Sequence, residues 1–170
     1  MYTTLRRRSC LGAGSLALLL AGCGFQLRKP PSFAFESIYL ALPPMSPLGL
    51  ELQRALAASG TVTLITDQRQ VERADLVLEL LQELREKVVL GRTSTGAVRE
   101  YQLRLRLRFR VRNRQGIERI PDTEMLQQRD ISYSESAALA KEAEEDLLYR
   151  NMQSDLVRQI LRRLAALREI

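Results

Sequence analysis

The sequence predicts an α+β domain, and three observations carry that expectation. Residues 100–113, "EYQLRLRLRFRVRN", alternate apolar and polar side chains, with Arg at every second position from Arg104 to Arg112. A period of two belongs to a strand. Leu148, Met152, Leu156, Ile160, Leu164 and Leu167 recur every three or four residues near the chain's end, which is a helix's apolar stripe. Between these and the start, "SIYLAL" at 37–42 reads as a short strand, and Ser46-Pro47 follows as a helix start: a capping hydroxyl, then Pro in the first turn.

The first residues read as a leader. Arg6, Arg7 and Arg8 precede the uncharged run "SCLGAGSLALLLAGC", a basic region, an apolar region and a small-residue cleavage region in order. The run falls short of the roughly 20 residues a bilayer span needs. Its end, Leu20-Ala21-Gly22-Cys23, resembles the lipobox of bacterial lipoproteins, in which the Cys is acylated and becomes the mature N-terminus. Residues 1–22 are thus expected to be a lipoprotein signal peptide and Cys23 the lipidation site. Arg7-Arg8 also resembles, faintly, a twin-arginine export signal. Each buried methylene of an acyl chain contributes about 0.8 kcal/mol, so several chains anchor firmly. Gly24 after the lipid site, where lipoproteins kept in the inner membrane often carry Asp, points to the outer membrane. Cys10 lies in the leader and Cys23 carries lipid, so no disulfide and no cysteine metal site is expected.

Beyond Cys23, residues 23–35 with Pro30-Pro31 read as an extended tether, and 36–170 as one domain. Leu48, Leu52, Ala55 and Leu56 share a helical face, which Gly60 closes. "TVTLIT", 61–66, is strand-like, and "DQRQVERAD" is a polar connector. The stretch 75–90, "DLVLELLQELREKVVL", fits two patterns. Val77, Leu80, Leu81, Leu84 and Val88 suit a helix, whereas its two ends look like strand, and propensity favours helix. Residues 91–98 and Asn113–Gly116 carry turn chemistry. "TEMLQQRDISYS", 123–134, reads as a further strand. The final helix, capped by Ser136 or a neighbour, spans roughly 30 residues, or about 45 Å. Its acids Glu142, Glu144, Glu145 and Asp146 lie early, and Arg158, Arg162, Arg163 and Arg168 lie late, as the helix dipole favours.

The formal net charge is +6. Removing the leader's three arginines lowers it to +3, and what remains is dipolar. Residues 99–114 hold seven Arg against one Glu, and the start of the last helix is acidic. That is not the uniform basic surface of a nucleic-acid binder. The chain has no histidine, no Gly-rich phosphate loop and no Ser in a nucleophile-elbow context. We therefore expect no catalytic residues, no metal, and no cofactor beyond the lipid on Cys23.

On a strand, same-face arginines lie about 6.8 Å apart, where they repel by roughly 0.6 kcal/mol in water. Arg104, Arg106, Arg108, Arg110 and Arg112 can therefore form a solvated face while Leu103, Leu105, Leu107 and Phe109 are buried under helices. They can equally form an interface, because guanidinium groups pair bidentately with phosphate and carboxylate.

"LAGCGFQLR" at 20–28, "REYQLRLRLRFRV" at 99–111 and "ALAKEAEEDLLYRNMQSDLVRQILRRL" at 138–164 together resemble the lipopolysaccharide-assembly lipoprotein family LptE. The resemblance implies two helices packed on one face of a mixed four-stranded sheet. It turns 75–90 into a long strand paired with the arginine strand across the 91–98 turn. It also implies an outer-membrane lipoprotein, anchored in the inner leaflet and facing the periplasm. There it would plug, one to one, the barrel (LptD) that inserts lipopolysaccharide into the outer leaflet, and would bind lipopolysaccharide itself. The family's basic binding positions fall on Lys141 and Arg92. The competing expectation is a periplasm-facing lipoprotein scaffold for another acidic protein or an envelope polymer.

Overall fold

In a computed structural model, residues 32–43 and 45–168 are described. The leader, Cys23 and Pro30-Pro31 lie outside them. Five strands and two helices follow in order: β1 Ser37–Ala41, α1 Pro47–Ala57, β2 Thr63–Ile65, β3 Leu76–Arg92, β4 Val98–Asn113, β5 Glu118–Ser132 and α2 Ala138–Ala165. Short 3₁₀ turns at Gln68–Arg73 and Glu135–Ala137 precede β3 and α2. The strands form one sheet in the order β2-β1-β3-β4-β5. β1 runs parallel to β2 and β3, and the remaining pairs are antiparallel.

The fold is the expected α+β arrangement with a mixed sheet, but the sheet has five strands rather than four. The shortest is β2, within the stretch read as strand-like at 61–66, whose three residues hold the sheet's edge against β1. Both helices bury against the same face. Leu48, Leu52 and Leu56 of α1 join Met152, Leu156, Ile160 and Leu164 of α2 in one cluster with Leu103, Leu105, Leu107, Phe109 and Val111 of β4. The C-terminal helix is 28 residues long.

Local chemistry explains the elements. Ser46 caps α1 as expected, its Oγ accepting from the Gly49 amide at 3.3 Å. The chain leaves α1 through Gly60, whose φ of +68° a side chain would resist. The expected cap at Ser136 is not formed. α2 starts from Ala137 without a side-chain cap, because the preceding 3₁₀ turn already engages the backbone, with Ala137 N–H donating to the Ser134 carbonyl. β5 begins at Glu118, earlier than the strand read at 123–134. Two register shifts near Pro121 break the alternation there, and an edge strand tolerates Pro at such a bulge. The Asp75 carboxylate fastens β1 beside β3 by accepting from the Ser37 amide and hydroxyl, both at 2.9 Å.

The stretch that sequence left open is strand from Leu76 onward. Its first half places Leu76, Leu78 and Leu80 opposite Asn113, Val111 and Phe109, on the helix-covered face. Between Leu80 and Gln82 the register slips by one residue, leaving Leu81 as a bulge. After it the parity is reversed. Glu83, Arg85 and Lys87 stand opposite Leu107, Leu105 and Leu103, and Gln82, Leu84 and Glu86 stand opposite the arginines. That reversal produces the helix-like spacing of Leu80, Leu81, Leu84 and Val88.

Candidate functional site

The open face of the sheet is a ladder of ion pairs. Leu103, Leu105, Leu107, Phe109 and Val111 are completely buried, whereas the arginines between them are half-buried on the other side. Strand register decides their partners, since cross-strand and diagonal neighbours lie within reach of long side chains. Arg106 sits opposite Leu84 and Leu126 and reaches diagonally to Glu124 and, at 3.8 Å, to Glu86. Arg108 donates to both carboxylate oxygens of Asp122. Arg110 bonds Glu79 and lies 3.6 Å from Glu118. Arg112 donates to the other oxygen of Glu79 at 2.9 Å. Arg104 differs: its Nε donates to the Gln102 amide oxygen at 2.7 Å, and among the described residues it has no carboxylate partner.

Glu79 is therefore shared by two guanidinium groups. Its partial burial favours the neutral form, but the hydrogen bonds and charges of Arg112 and Arg110 outweigh burial and hold the carboxyl below its usual range. Four of the five candidate interface arginines, all but Arg104, thus pair with Glu79, Glu86, Glu118, Asp122 and Glu124. This surface is strongly polar and close to neutral, rather than a free cationic row.

Lys141 lies elsewhere, where α2 begins beside the end of β5. Its Nζ donates to Ser132 Oγ at 3.1 Å and to Glu144 at 2.8 Å. Of the acids around it, Glu144 is engaged by Lys141 and Glu145 by Lys87. A small cavity of about 90 Å³ is lined there by Lys87, Tyr101, Tyr133, Lys141, Glu142 and Glu145, among others. The two tyrosine rings meet edge to face at 5.3 Å. Lys87 lies 4.5 Å from the Tyr101 ring centre and bonds Glu145 at 2.6 Å. That bond raises the lysine's pKa, against the opposing effect of burial.

Lys87 is the residue that sequence reasoning missed. Only the reversed parity after Leu81 brings it round to the helix side, and no spacing in the chain reveals that. Arg92 does not join this cluster. It sits in the β3–β4 hairpin, its guanidinium donating to the Gly96 carbonyl at 3.0 Å. Among the described residues no group of His, Cys, Asp and Glu is disposed to hold a metal ion, and no helix is long and apolar enough to cross a membrane.

The LptE family model, described as lipopolysaccharide-assembly, matches residues 35–164, the sheet and both helices. The chain belongs to the LptE family. An uncharacterized lipoprotein B from Nitrosomonas europaea, solved by NMR, is similar to it at 30% identity and a TM-score of 0.71, covering 84% of this chain and 91% of that one. A rare lipoprotein B from Shewanella oneidensis is 25% identical, TM-score 0.65, over 77% and 95% of the two chains. A minor lipoprotein from Acinetobacter baumannii is 26% identical, TM-score 0.62, over 79% and 94%. No curated protein matches the chain. LptE proteins are non-enzymatic, outer-membrane-associated lipoproteins of lipopolysaccharide assembly, and membership gives this chain that role.

Proposed function

We propose that this protein is the lipid-anchored plug of the lipopolysaccharide-inserting barrel LptD. It binds one to one and takes lipopolysaccharide at the start of α2. Acylated Cys23 holds it to the inner leaflet of the outer membrane, with the 23–35 tether giving the domain at 36–170 reach into the barrel lumen. The observation that carries the plug reading is the charge-paired open face. A barrel lumen is polar and hydrated, and a surface on which four of the five arginines are paired with carboxylates suits it with little unpaired charge. The same pairing removes the cation surplus that favoured an acidic protein or envelope polymer as partner. For lipopolysaccharide, Lys141 and Lys87 line one cavity beside the amides at a helix start, a place that attracts phosphate. Arg92, one hairpin away, contributes charge from outside that cavity. An arriving phosphate displaces Glu144 from Lys141.

The test uses the native lipoprotein. It should co-purify with one equivalent of a heat-modifiable barrel, and mass spectrometry should place the mature N-terminus at acylated Cys23. Lys141→Asp should weaken lipopolysaccharide binding, most strongly at low salt, with barrel association unchanged and thermal stability lowered only slightly, as for loss of an exposed ion pair. If Lys141→Asp combined with Arg92→Asp binds lipopolysaccharide like the parent at low salt, the lipid site lies elsewhere. If no barrel accompanies the lipoprotein, the plug reading is wrong.

A further inference from the structure

Three arginines without carboxylate partners meet in a groove of the helix layer. The groove, of about 780 Å³, opens between α1 and α2 beside β3, and Arg54, Arg85 and Arg150 line it from those three elements. On the open face guanidinium groups are matched with acids. Here, among the described residues, none of the three forms an ion pair. The groove's own acids are Glu51 and Asp146. Glu51 accepts from the side-chain amide of buried Gln153 at 2.8 Å. Three cations against two acids leave the groove one positive charge. Arg85 lies over the Tyr149 ring, 5.1 Å from its centre, a contact that steadies the guanidinium without using its N–H donors. The large apolar side chains that the helices leave exposed lie close by. They are Leu50, Leu139 and Leu147, at 40%, 83% and 50%. Leu50 lines the groove. Leu147 precedes Arg150 by three residues and Leu139 precedes Asp146 by seven, so both follow the groove's side of α2.

We infer that this groove binds the phosphate headgroup of an anionic phospholipid, whose chains lie along Leu50, Leu147 and Leu139. Guanidinium groups make planar, bidentate contacts to phosphate, and a phosphate has oxygens enough to engage donors arriving from three elements at once. A carboxylate of an acidic protein has two oxygens and brings no apolar tail. Free inorganic phosphate would also leave the leucines uncovered. A face that sets cations beside leucines gains from apolar burial and from attraction to anionic headgroups together. No residue lining the groove also lines the Lys141 cavity. The site is therefore separate from the one proposed above, and it does not depend on barrel association.

The test titrates the full lipoprotein, held in a neutral detergent, and follows the arginine Nε–H signals by NMR. The probes are dihexanoyl phosphatidylglycerol, dihexanoyl phosphatidylcholine and inorganic phosphate. Phosphatidylglycerol should shift the signals of Arg54, Arg85 and Arg150 and bind roughly tenfold tighter than either of the others. Arg54→Gln and Arg150→Gln should each weaken it by about tenfold, as for loss of a charge-assisted contact. Both arginines are exposed, so the backbone amide spectra of these variants should match the parent's. Arg163→Gln removes the same charge from exposed α2 surface outside the groove and should leave binding unchanged. Leu50→Ser should weaken phosphatidylglycerol and spare inorganic phosphate. If none of the three signals moves with phosphatidylglycerol, the inference is wrong. Equal weakening by Arg163→Gln also overturns it, by making the attraction one of net charge. Inorganic phosphate binding as tightly as phosphatidylglycerol, with Leu50→Ser altering neither, overturns the lipid as occupant.

Discussion

β4 has two faces built from consecutive residues, Leu103 to Arg112, and they hold the protein together by different means. On one face every apolar side chain is fully buried under α1 and α2. On the other, arginines share carboxylates with β3 and β5 and keep contact with water. The buried face is specified by volume, because a close-packed core registers the loss of a single methylene. The open face is specified by charge balance, because Glu79 serves two arginines at once and diagonal neighbours share the pairing. Fold stability should therefore be concentrated on the first face, and surface character on the second.

The comparison breaks most directly at Leu105. Leu105→Ala removes a fully buried side chain and should cost about 2 to 5 kcal/mol, read as a lower denaturation midpoint with an unchanged slope. Were its effect no larger than that of substituting the arginine beside it, the helix-covered face would not be the core.

Glu79→Gln sharpens the contrast with a smaller effect. It leaves Arg110 and Arg112 without their shared charge and should cost roughly 1.5 kcal/mol near neutral pH. The pH dependence follows from the direction of the shift. Partial burial pushes the Glu79 carboxyl up, the bonds from Arg112 and Arg110 push it down further, and the result lies below its ordinary value of 4.5. A group with a lowered folded pKa contributes stability above its unfolded value, and loses it as pH falls through the folded one. The difference between parent and Glu79→Gln should therefore be constant above pH 5 or so and shrink below 4.5. Asp75 is also held low: burial pushes it up, but bonds from Ser37 and Glu36 and the charge of Arg114 prevail. It titrates in both proteins, so the difference isolates Glu79. A gap that persists undiminished in acid would mean that the carboxylate's charge contributes nothing.

The two faces of β4 were legible in sequence because one strand's alternation is a local property. The same holds for the Ser46 cap and the α2 stripe, which need only neighbours within a turn. β3 was not legible, because Leu81 is a bulge and the parity changes there. The leucines on either side then imitate a helix, and only the family resemblance resolved them as strand. The ladder's acids were not legible either. Glu79, Glu86, Glu118, Asp122 and Glu124 are scattered over β3 and β5, and nothing but register aligns them with the arginines. Lys87 beside Lys141 shares that cause. Sequence could identify a cationic strand, but whether its charge was free or paired depended on three strands at once.

The finest test of the two-face picture lies within the ladder itself, between Arg104 and Arg106. Their backbone positions are equivalent, both on β4 between β3 and β5. Arg106 has Glu124 and Glu86 within reach, whereas Arg104 rests on the Gln102 amide. Exposed ion pairs contribute little, about 0.2 to 1 kcal/mol, so Arg106→Ala should stay within about 0.5 kcal/mol and Arg104→Ala below that. Salt should distinguish them. Screening over a Debye length of about 8 Å at physiological ionic strength weakens an ion pair, so the cost of Arg106→Ala should diminish as salt rises. The hydrogen bond from Arg104 to a neutral amide gives no such dependence. Removing Arg104 also relieves repulsion from Arg106 along the strand, so at low salt Arg104→Ala should be neutral or slightly stabilising. Equal, salt-independent losses for the two, measured by chemical denaturation at low and high salt, would show that the arginines act through their packed stems and that charge pairing does not hold the open face.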